Sequence, residues 1–121
     1  MVMVVEDDPI IRMILCNIIR HDRPGVEVIE CINGDDAYRK MRKDINLIFT
    51  DNNMPRLCGV DFIRKIKSNP DYSKIPIVMV SVEDRAEYKA FCVELGIDGW
   101  VCKPFLMSQI RDCVTRFLGA A

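Results

Sequence analysis

The sequence has no hydrophobic run of the roughly 18 residues that a membrane-spanning helix requires. Basic residues are not in excess either, since 17 Lys and Arg stand against 18 Asp and Glu, for a formal net charge of -1. These two absences argue against a membrane or a nucleic acid as the main partner. The apolar start at residues 2–5 meets an acidic run at once, so we do not interpret it as a signal peptide.

Sequence patterns for zinc sites and disulfide frameworks are also missing. The six cysteines form no C-x-x-C pair and lie in apolar segments, which favours buried, reduced thiols in a cytoplasmic protein. The only histidine, His21, has charged neighbours and is predicted to lie on the surface. Half of the 121 residues are hydrophobic and 29% are charged, which is typical of a single folded domain, here residues 1–121.

The apolar residues alternate between two periods along the chain. Short β-rich runs occupy residues 2–5, 26–32, 45–50, 75–82 and 99–102, and apolar stripes with helical spacing follow each of them. Five strands that alternate with five helices predict an α/β fold in which a parallel sheet is covered on both faces. Asp8 and Pro9 are typical of a helix start, and Gly96 is typical of a helix end.

Polar residues that can carry chemistry stand at the ends of four of these strands. Glu6 and Asp7 follow the first strand, Asp51 follows the third, Ser81 lies at the end of the fourth, and Lys103 follows the fifth. Ligands of open α/β sheets bind at the carboxyl ends of the strands. If the first and third strands are neighbours, three carboxylates converge there and need a cation between them. Mg²⁺ fits oxygen ligands and a lysine suits a phosphoryl oxygen, so the pattern predicts a phosphoryl-transfer site with a carboxylate nucleophile.

Around these strand ends the sequence resembles the response-regulator receiver domains of two-component signalling. The matching segments are VVEDD, LIFTDNNMPRLCG, PIVMVS and GWVCKPF. The resemblance implies a flavodoxin-like, doubly wound sheet of five parallel strands in the order 2-1-3-4-5, with five helices. It also implies a cytoplasmic, phosphorylation-activated switch that catalyses only its own phosphoryl transfer and dephosphorylation.

The resemblance assigns the phospho-acceptor and the metal ligands. Asp51 is the acceptor, and it receives a phosphoryl group from a phosphohistidine on a histidine kinase or a phosphotransfer protein. Glu6, Asp7, Asp51 and the backbone carbonyl of Asn53 hold Mg²⁺ (or Mn²⁺), with Glu6 acting through water. The acceptor and the metal therefore share one pocket.

The resemblance also implies how phosphorylation is transmitted. Lys103 pairs with a phosphoryl oxygen, and the Lys103–Pro104 peptide bond is cis. Ser81 is the switch hydroxyl and Trp100 is the switch aromatic, which repacks when the hydroxyl moves. The surface of the fourth helix, fifth strand and fifth helix then changes and controls a downstream protein or a fused output domain.

Three positions depart from the usual pattern of the family. Trp100 is bulkier than the usual tyrosine or phenylalanine, and Glu6 replaces the commoner aspartate. Val82 stands where the family mostly has a small residue, so its branched side chain is predicted to narrow access to Asp51. Trp100 and Val82 keep open an alternative function, a degenerate receiver that binds a partner without phosphorylation.

Two further classes of function rank lower. A phosphatase with an aspartyl nucleophile needs a general acid two residues after the nucleophile, where this chain has Asn53. A nucleotide or flavin module needs a turn rich in glycine or hydroxyl groups after the first strand. The turn here is acidic, at Glu6, Asp7 and Asp8, and it repels phosphate unless a metal is present.

Overall fold

Five strands and five helices alternate along residues 1–52 and 59–120, which are the residues that the computed structural model describes. The strands are β1 (Val2–Val5), β2 (Val28–Cys31), β3 (Leu47–Thr50), β4 (Ile77–Ser81) and β5 (Gly99–Cys102). The helices are α1 (Pro9–Asp22), α2 (Gly34–Arg39), α3 (Gly59–Ser68), α4 (Ala86–Leu95) and α5 (Met107–Leu118). The strands pair in parallel in the order β2-β1-β3-β4-β5, which confirms the predicted fold class and strand order.

The sheet is buried on both faces because its central strands are apolar at almost every position. Val2 and Val4 of β1 pack into a core with residues of α1 and α5. Met3 and Val5 point to the other face and pack into a second core with residues of α2, α3 and α4. The two cores bury both faces of the sheet against its helices. Within the described residues, no helix has the length and apolar character needed to cross a membrane.

Three strands are shorter than the apolar runs that predicted them. Ile45 and Ile75 are buried but precede β3 and β4, so they pack into the core without joining a ladder. Val26 likewise precedes β2, and Val82 follows β4 with 64% of its surface exposed. Apolar composition reports burial, whereas the strand bounds depend on which backbone groups find a partner on the neighbouring strand.

The described cysteines are all free thiols. Three are buried, as predicted: Cys16, Cys31 and Cys92. The prediction is wrong for Cys102 and Cys113, which are only half-buried because they lie on the edge strand β5 and on the outer helix α5. Cys58 lies outside the described residues. His21 is exposed, as predicted.

Candidate functional site

Three carboxylates meet at the carboxyl ends of β1 and β3. Val5 and Thr50 are partners across these neighbouring strands, and Glu6 and Asp51 follow them directly. Carboxylate oxygens of Glu6, Asp7 and Asp51 lie within 4.8 Å of one another. Glu6 and Asp51 are 1% and 6% exposed, whereas Asp7 is exposed, so the cluster opens to solvent on the side of Asp7.

Lys103 projects from the end of β5 into the same cluster. Its Nζ lies 2.7 Å from Glu6 Oε1 and 3.4 Å from Asp51 Oδ2. The side chain is 13% exposed, so this lysine is not an ordinary solvated one. Its backbone N–H donates to the carbonyl oxygen of Ser81 at 2.9 Å, and the Lys103–Pro104 peptide bond is cis. One ammonium group therefore serves two buried carboxylates and lies closer to Glu6.

Burial and charge shift the titration of this ion pair. Burial, together with the charge of Asp51, raises the pKa of Glu6 to about 7 against the opposing hydrogen bond from Lys103. Burial alone lowers the pKa of Lys103, but the hydrogen bond to Glu6 and the charge of Asp51 outweigh it, so the pKa rises. Lys103 therefore stays protonated, and a further fall in pH adds a proton to Glu6.

Backbone groups hold the two buried carboxylates in place. The Asp8 N–H donates to Glu6 Oε2 at 3.2 Å, so both oxygens of Glu6 have a partner. The Asn52 N–H donates to Asp51 Oδ1 at 2.7 Å. Gly59, the first residue of α3, leaves room for this loop, because a Cβ at that position would lie 2.6 Å from the carbonyl oxygen of Asp51.

Comparison with known proteins agrees with this arrangement. Residues 2–115 match the sequence model of the response regulator receiver domain. The chain belongs to this family. Membership places it in phosphorylation-dependent signalling, in which receiver domains are regulatory and bind a divalent metal.

Individual relatives of this receiver domain include chemotaxis proteins. It is 29% identical over 120 residues to the chemotaxis protein CheY1 of Helicobacter pylori, covering 97% of this chain and 95% of that protein. The solved structure of the chemotaxis protein CheY4 of Vibrio cholerae superposes with a TM-score of 0.87 at 28% identity, covering 96% of both chains. Histidine kinase P4 of Formosa agariphila is 30% identical over 118 residues, which cover 97% of this chain but only 8% of that protein.

Ser81 lies at the end of β4 in the receiver domain and is fully buried. Its Oγ accepts a hydrogen bond from the Glu83 N–H at 3.1 Å. Val82, the next residue, is 64% exposed and lines an apolar cavity of about 370 Å³ together with Lys103, Pro104 and Phe105. The hydroxyl is therefore bonded to its own loop, and the valine branch lies at the surface beside Lys103.

Trp100 is a residue of β5, and its side chain packs against α4. Its ring meets Tyr88 edge to face, with the centroids 5.9 Å apart, and Lys89 Nζ lies 5.8 Å from the indole centroid. The residue is half-buried, and its Nε1 is buried with no hydrogen-bond partner among the described residues. The tryptophan is thus held by α4, on which any repacking of the ring would act directly.

One predicted site residue is not placed, and one site contact was missed by the sequence analysis. Asn53, whose carbonyl is a predicted metal ligand, lies outside the described residues. The unpredicted contact is that of Arg12, whose Nη1 donates to the carbonyl oxygen of Glu6 at 2.8 Å. The signal in the sequence is its position four residues after Asp8, which caps α1 by accepting from the Ile10 and Ile11 N–H groups. Residues four apart lie on one side of a helix.

Proposed function

We propose that this receiver domain is a phosphorylation-activated switch whose phospho-acceptor is Asp51. The donor is a phosphohistidine of a histidine kinase or a phosphotransfer protein, and the reaction depends on Mg²⁺. The observation that carries the proposal is the arrangement around Asp51: a buried carboxylate with Lys103 Nζ 3.4 Å away and with carboxylate oxygens of Glu6 and Asp7 within 4.8 Å.

The transfer itself is a displacement at phosphorus. A bond forms between a carboxylate oxygen of Asp51 and the phosphorus, and the bond from phosphorus to the histidine nitrogen breaks. The electron pair of the broken bond stays on the imidazole, which is protonated from solvent. Mg²⁺, held by Asp7, Asp51, the carbonyl of Asn53 and Glu6 through water, would supply neutralisation of the phosphoryl charge.

Lys103 is placed to contact a phosphoryl group on Asp51. In the resting protein its ammonium is 2.7 Å from Glu6 and 3.4 Å from Asp51. Phosphorylation of Asp51 adds negative charge on the side where the contact is longer, so the ammonium shifts its closest contact from Glu6 to a phosphoryl oxygen. The charge then stabilises the phosphorylated form.

Ser81 and Trp100 link this event to the surface. When Ser81 moves to donate its hydroxyl proton to the phosphoryl group, the hydrogen bond that its Oγ accepts from the Glu83 N–H draws the loop with it. The loop between β4 and α4 then moves, and Trp100 repacks against Tyr88 on α4. The result is a population shift between two conformations, driven by the free energy with which phosphate and metal favour one of them.

Apolar surface beside the site suits protein partners. Ile14 and Val82, which are 42% and 64% exposed, line the cavity next to Lys103, and they supply a contact area for a protein that presents a phosphohistidine. For the downstream partner or fused output domain we propose the surface of α4, β5 and α5. Leu106 belongs to it with 68% exposure, whereas Ile110 is fully buried and cannot contact a partner.

The proposal is tested by intact-mass spectrometry. The protein is incubated with Mg²⁺ and a small phosphodonor such as acetyl phosphate, and we expect one phosphate adduct. Asp51→Asn removes the acceptor and should give no adduct. Asp112→Asn, which changes an exposed aspartate on α5, is the matched control and should be phosphorylated like the wild type.

Two results would contradict the proposal. No adduct on the wild type, with a donor that modifies a known receiver domain, would remove the acceptor role. An adduct that persists in Asp51→Asn would place the acceptor elsewhere. Steady release of phosphate from a monoester, lost in Asp51→Asn, would instead favour the phosphatase class.

The second candidate is a receiver that binds its partner without phosphorylation. The observation in its favour is Trp100, which is already held by Tyr88 and Lys89 in the resting protein. If the ring cannot repack, phosphorylation leaves the α4 surface unchanged. Trp100 fluorescence that does not change on full phosphorylation, together with partner binding that Asp51→Asn leaves intact, would favour this candidate.

A further inference from the structure

Arg12 lies on α1, outside the carboxylate cluster, yet its guanidinium reaches the backbone that carries the cluster. Its Nη1 donates to the carbonyl oxygen of Glu6 at 2.8 Å. The side chain is 18% exposed, so this contact is largely shielded from water. A hydrogen bond from a charged donor in such surroundings is stronger than one between neutral groups.

The same guanidinium also forms an ion pair with Glu30. Arg12 Nε lies 3.6 Å from Glu30 Oε1, and the other oxygen of Glu30 lies 3.3 Å from Nη2 of Arg20, which is about two turns further along α1. Glu30 belongs to β2 and is the ladder partner of Val4 on β1. The planar fork of Arg12 therefore joins α1, β2 and the end of β1 in one fixed geometry.

The Glu6 main chain is held on both sides as a result. Its N–H donates to the carbonyl oxygen of Cys31 on β2 at 3.0 Å, and its carbonyl oxygen accepts from Arg12. The peptide group between Glu6 and Asp7 is the point at which the chain leaves the sheet. Its orientation decides whether the two side chains on either side of it converge on Asp51.

We propose that Arg12 is a positioning residue that orients the Glu6–Asp7 peptide for metal binding, and that Glu30 orients Arg12. This inference rests on the proposed function, in which Glu6 and Asp7 hold the metal. Arg12 itself touches neither the metal nor the phosphoryl group. It acts through the peptide that joins Glu6, which would hold the metal through water, to Asp7, which would hold it directly.

An electrostatic role and a positioning role of Arg12 predict opposite changes in Mg²⁺ affinity, so a measurement of that affinity distinguishes them. Arg12 carries a positive charge near three carboxylates, so a purely electrostatic role predicts tighter Mg²⁺ binding when the charge is removed. A positioning role predicts weaker binding. For Arg12→Gln we expect Mg²⁺ affinity, measured by calorimetry, to fall by about tenfold or more, as is usual when an outer partner of a metal ligand is lost.

Two further variants complete the experiment. Arg20→Gln is the matched control, because Arg20 lies on the same helix and pairs with the same Glu30 but makes no contact with Glu6; its Mg²⁺ affinity should stay that of the wild type. Arg12→Lys keeps the charge but lacks the fork that serves Glu6 and Glu30 together. We expect its affinity to lie between those of Arg12→Gln and the wild type, and it replaces Arg12→Gln if that variant does not fold.

A measurement on the metal-free protein keeps this inference separate from the proposed function. The Asp8 N–H donates to Glu6 Oε2, so its hydrogen exchange reports the order of the acidic loop. We expect faster exchange of this amide in Arg12→Gln than in Arg20→Gln, whether or not the wild type binds Mg²⁺. Equal exchange in both variants, or Mg²⁺ binding by Arg12→Gln as tight as that of the wild type, would overturn the positioning role.

Discussion

Lys103 is the residue on which the electrostatics of the site depend. Glu6 and Asp51 are buried carboxylates, and burial of an unpaired charge is costly. The ammonium 2.7 Å from one and 3.4 Å from the other offsets that cost in the absence of metal. A single side chain thus stabilises the resting fold and is also available to a phosphoryl group.

Replacing Lys103 by Met should destabilise the metal-free protein. Removal of one partner from a buried ion pair typically costs about 3–5 kcal/mol, because the other charge stays buried and unpaired. We expect a loss of this size in urea unfolding without metal, and a partial recovery when Mg²⁺ is added. Lys74→Met, at an exposed lysine, should cost little. Equal losses for the two variants would contradict this account.

Asp36 gives a pH-dependent contribution to stability away from the site. Its Oδ2 accepts from the Ile32 N–H at 3.1 Å and from Lys40 Nζ at 3.1 Å. Partial burial raises the pKa of this carboxyl, but the Ile32 amide and Lys40 lower it more, so the pKa lies below its usual 3.8. The stabilisation is therefore present above 3.8 and is lost as the pH falls through the lower native pKa.

Asp36→Asn should accordingly lose stability in a pH-dependent way. Near pH 7 we expect a loss of about 1 kcal/mol in urea unfolding, the usual size for one hydrogen bond. The difference from the wild type should shrink towards zero as the pH falls below 3.8. Asp112→Asn, at an exposed position, provides the baseline. A difference that does not vary with pH would mean that packing, and not charge, is responsible.

At the scale of elements, the sequence predicts the order and type of the helices and strands well. The continuous apolar runs and the cap at Asp8 are local signals, and the structure follows them. The ladder ends at Ile45 and Ile75 were missed because an apolar side chain packs equally well just outside a strand.

The site was predictable only in part. That Glu6, Asp7 and Asp51 converge follows from the positions of strand ends, and the acidic cluster is present. Lys103 lies closer to Glu6 than to Asp51, and this depends on how its side chain extends from the end of β5, which no local sequence pattern reports. The contact of Arg12 with a backbone carbonyl likewise leaves no trace in residue type, since any carbonyl is an equal acceptor.

The junction between β3 and α3 gives a prediction about Gly59. Its N–H donates to the carbonyl oxygen of Asn52 at 3.1 Å, and an added Cβ would lie 2.6 Å from the carbonyl oxygen of Asp51. Gly59→Ala should therefore push the two backbones apart, with a cost of about 1–3 kcal/mol as for other overpacked sites. Phosphorylation of Asp51, followed by intact mass over time, should slow because the carboxylate moves.

The control for Gly59 is Gly25, where an added Cβ meets nothing within 4 Å. Gly25 has a φ of 91°, so Gly25→Ala carries a backbone cost without a contact at the site. It should lower stability but leave the rate of phosphorylation unchanged. If both variants slow phosphorylation equally, the effect is one of general stability and not of the Asp51 loop.

At the scale of the whole molecule, the strand order brings distant parts of the chain together at the carboxyl end of the sheet. Because β1 lies between β2 and β3, residues that follow β1 and β3 become neighbours although they are far apart in sequence. The amino end of the sheet holds a cavity of about 750 Å³ lined by residues such as Met1, Asn46 and Pro76, away from the carboxylates. The carboxylate cluster and Lys103 lie at the carboxyl end.

Metal binding at the carboxylate cluster should stabilise the entire fold. A ligand that binds only the native state adds about 2.7 kcal/mol at a concentration one hundred times its Kd. We expect Mg²⁺ to raise the midpoint of urea unfolding accordingly. Asp7 is exposed, so Asp7→Asn should barely change metal-free stability yet remove most of this gain. A full gain in Asp7→Asn would show that Mg²⁺ binds elsewhere.

The ion pair between Lys103 and Glu6 has a consequence for how sensitive the switch is. Lys103 Nζ already lies 2.7 Å from Glu6, so in the proposed switch the gain from its new contact with a phosphoryl oxygen is partly offset by weakening of this first contact. We therefore expect the acid at position 6 to influence how strongly phosphorylation favours the second conformation. An aspartate there, with less reach towards the lysine, should weaken the first contact and increase the response to the same degree of phosphorylation.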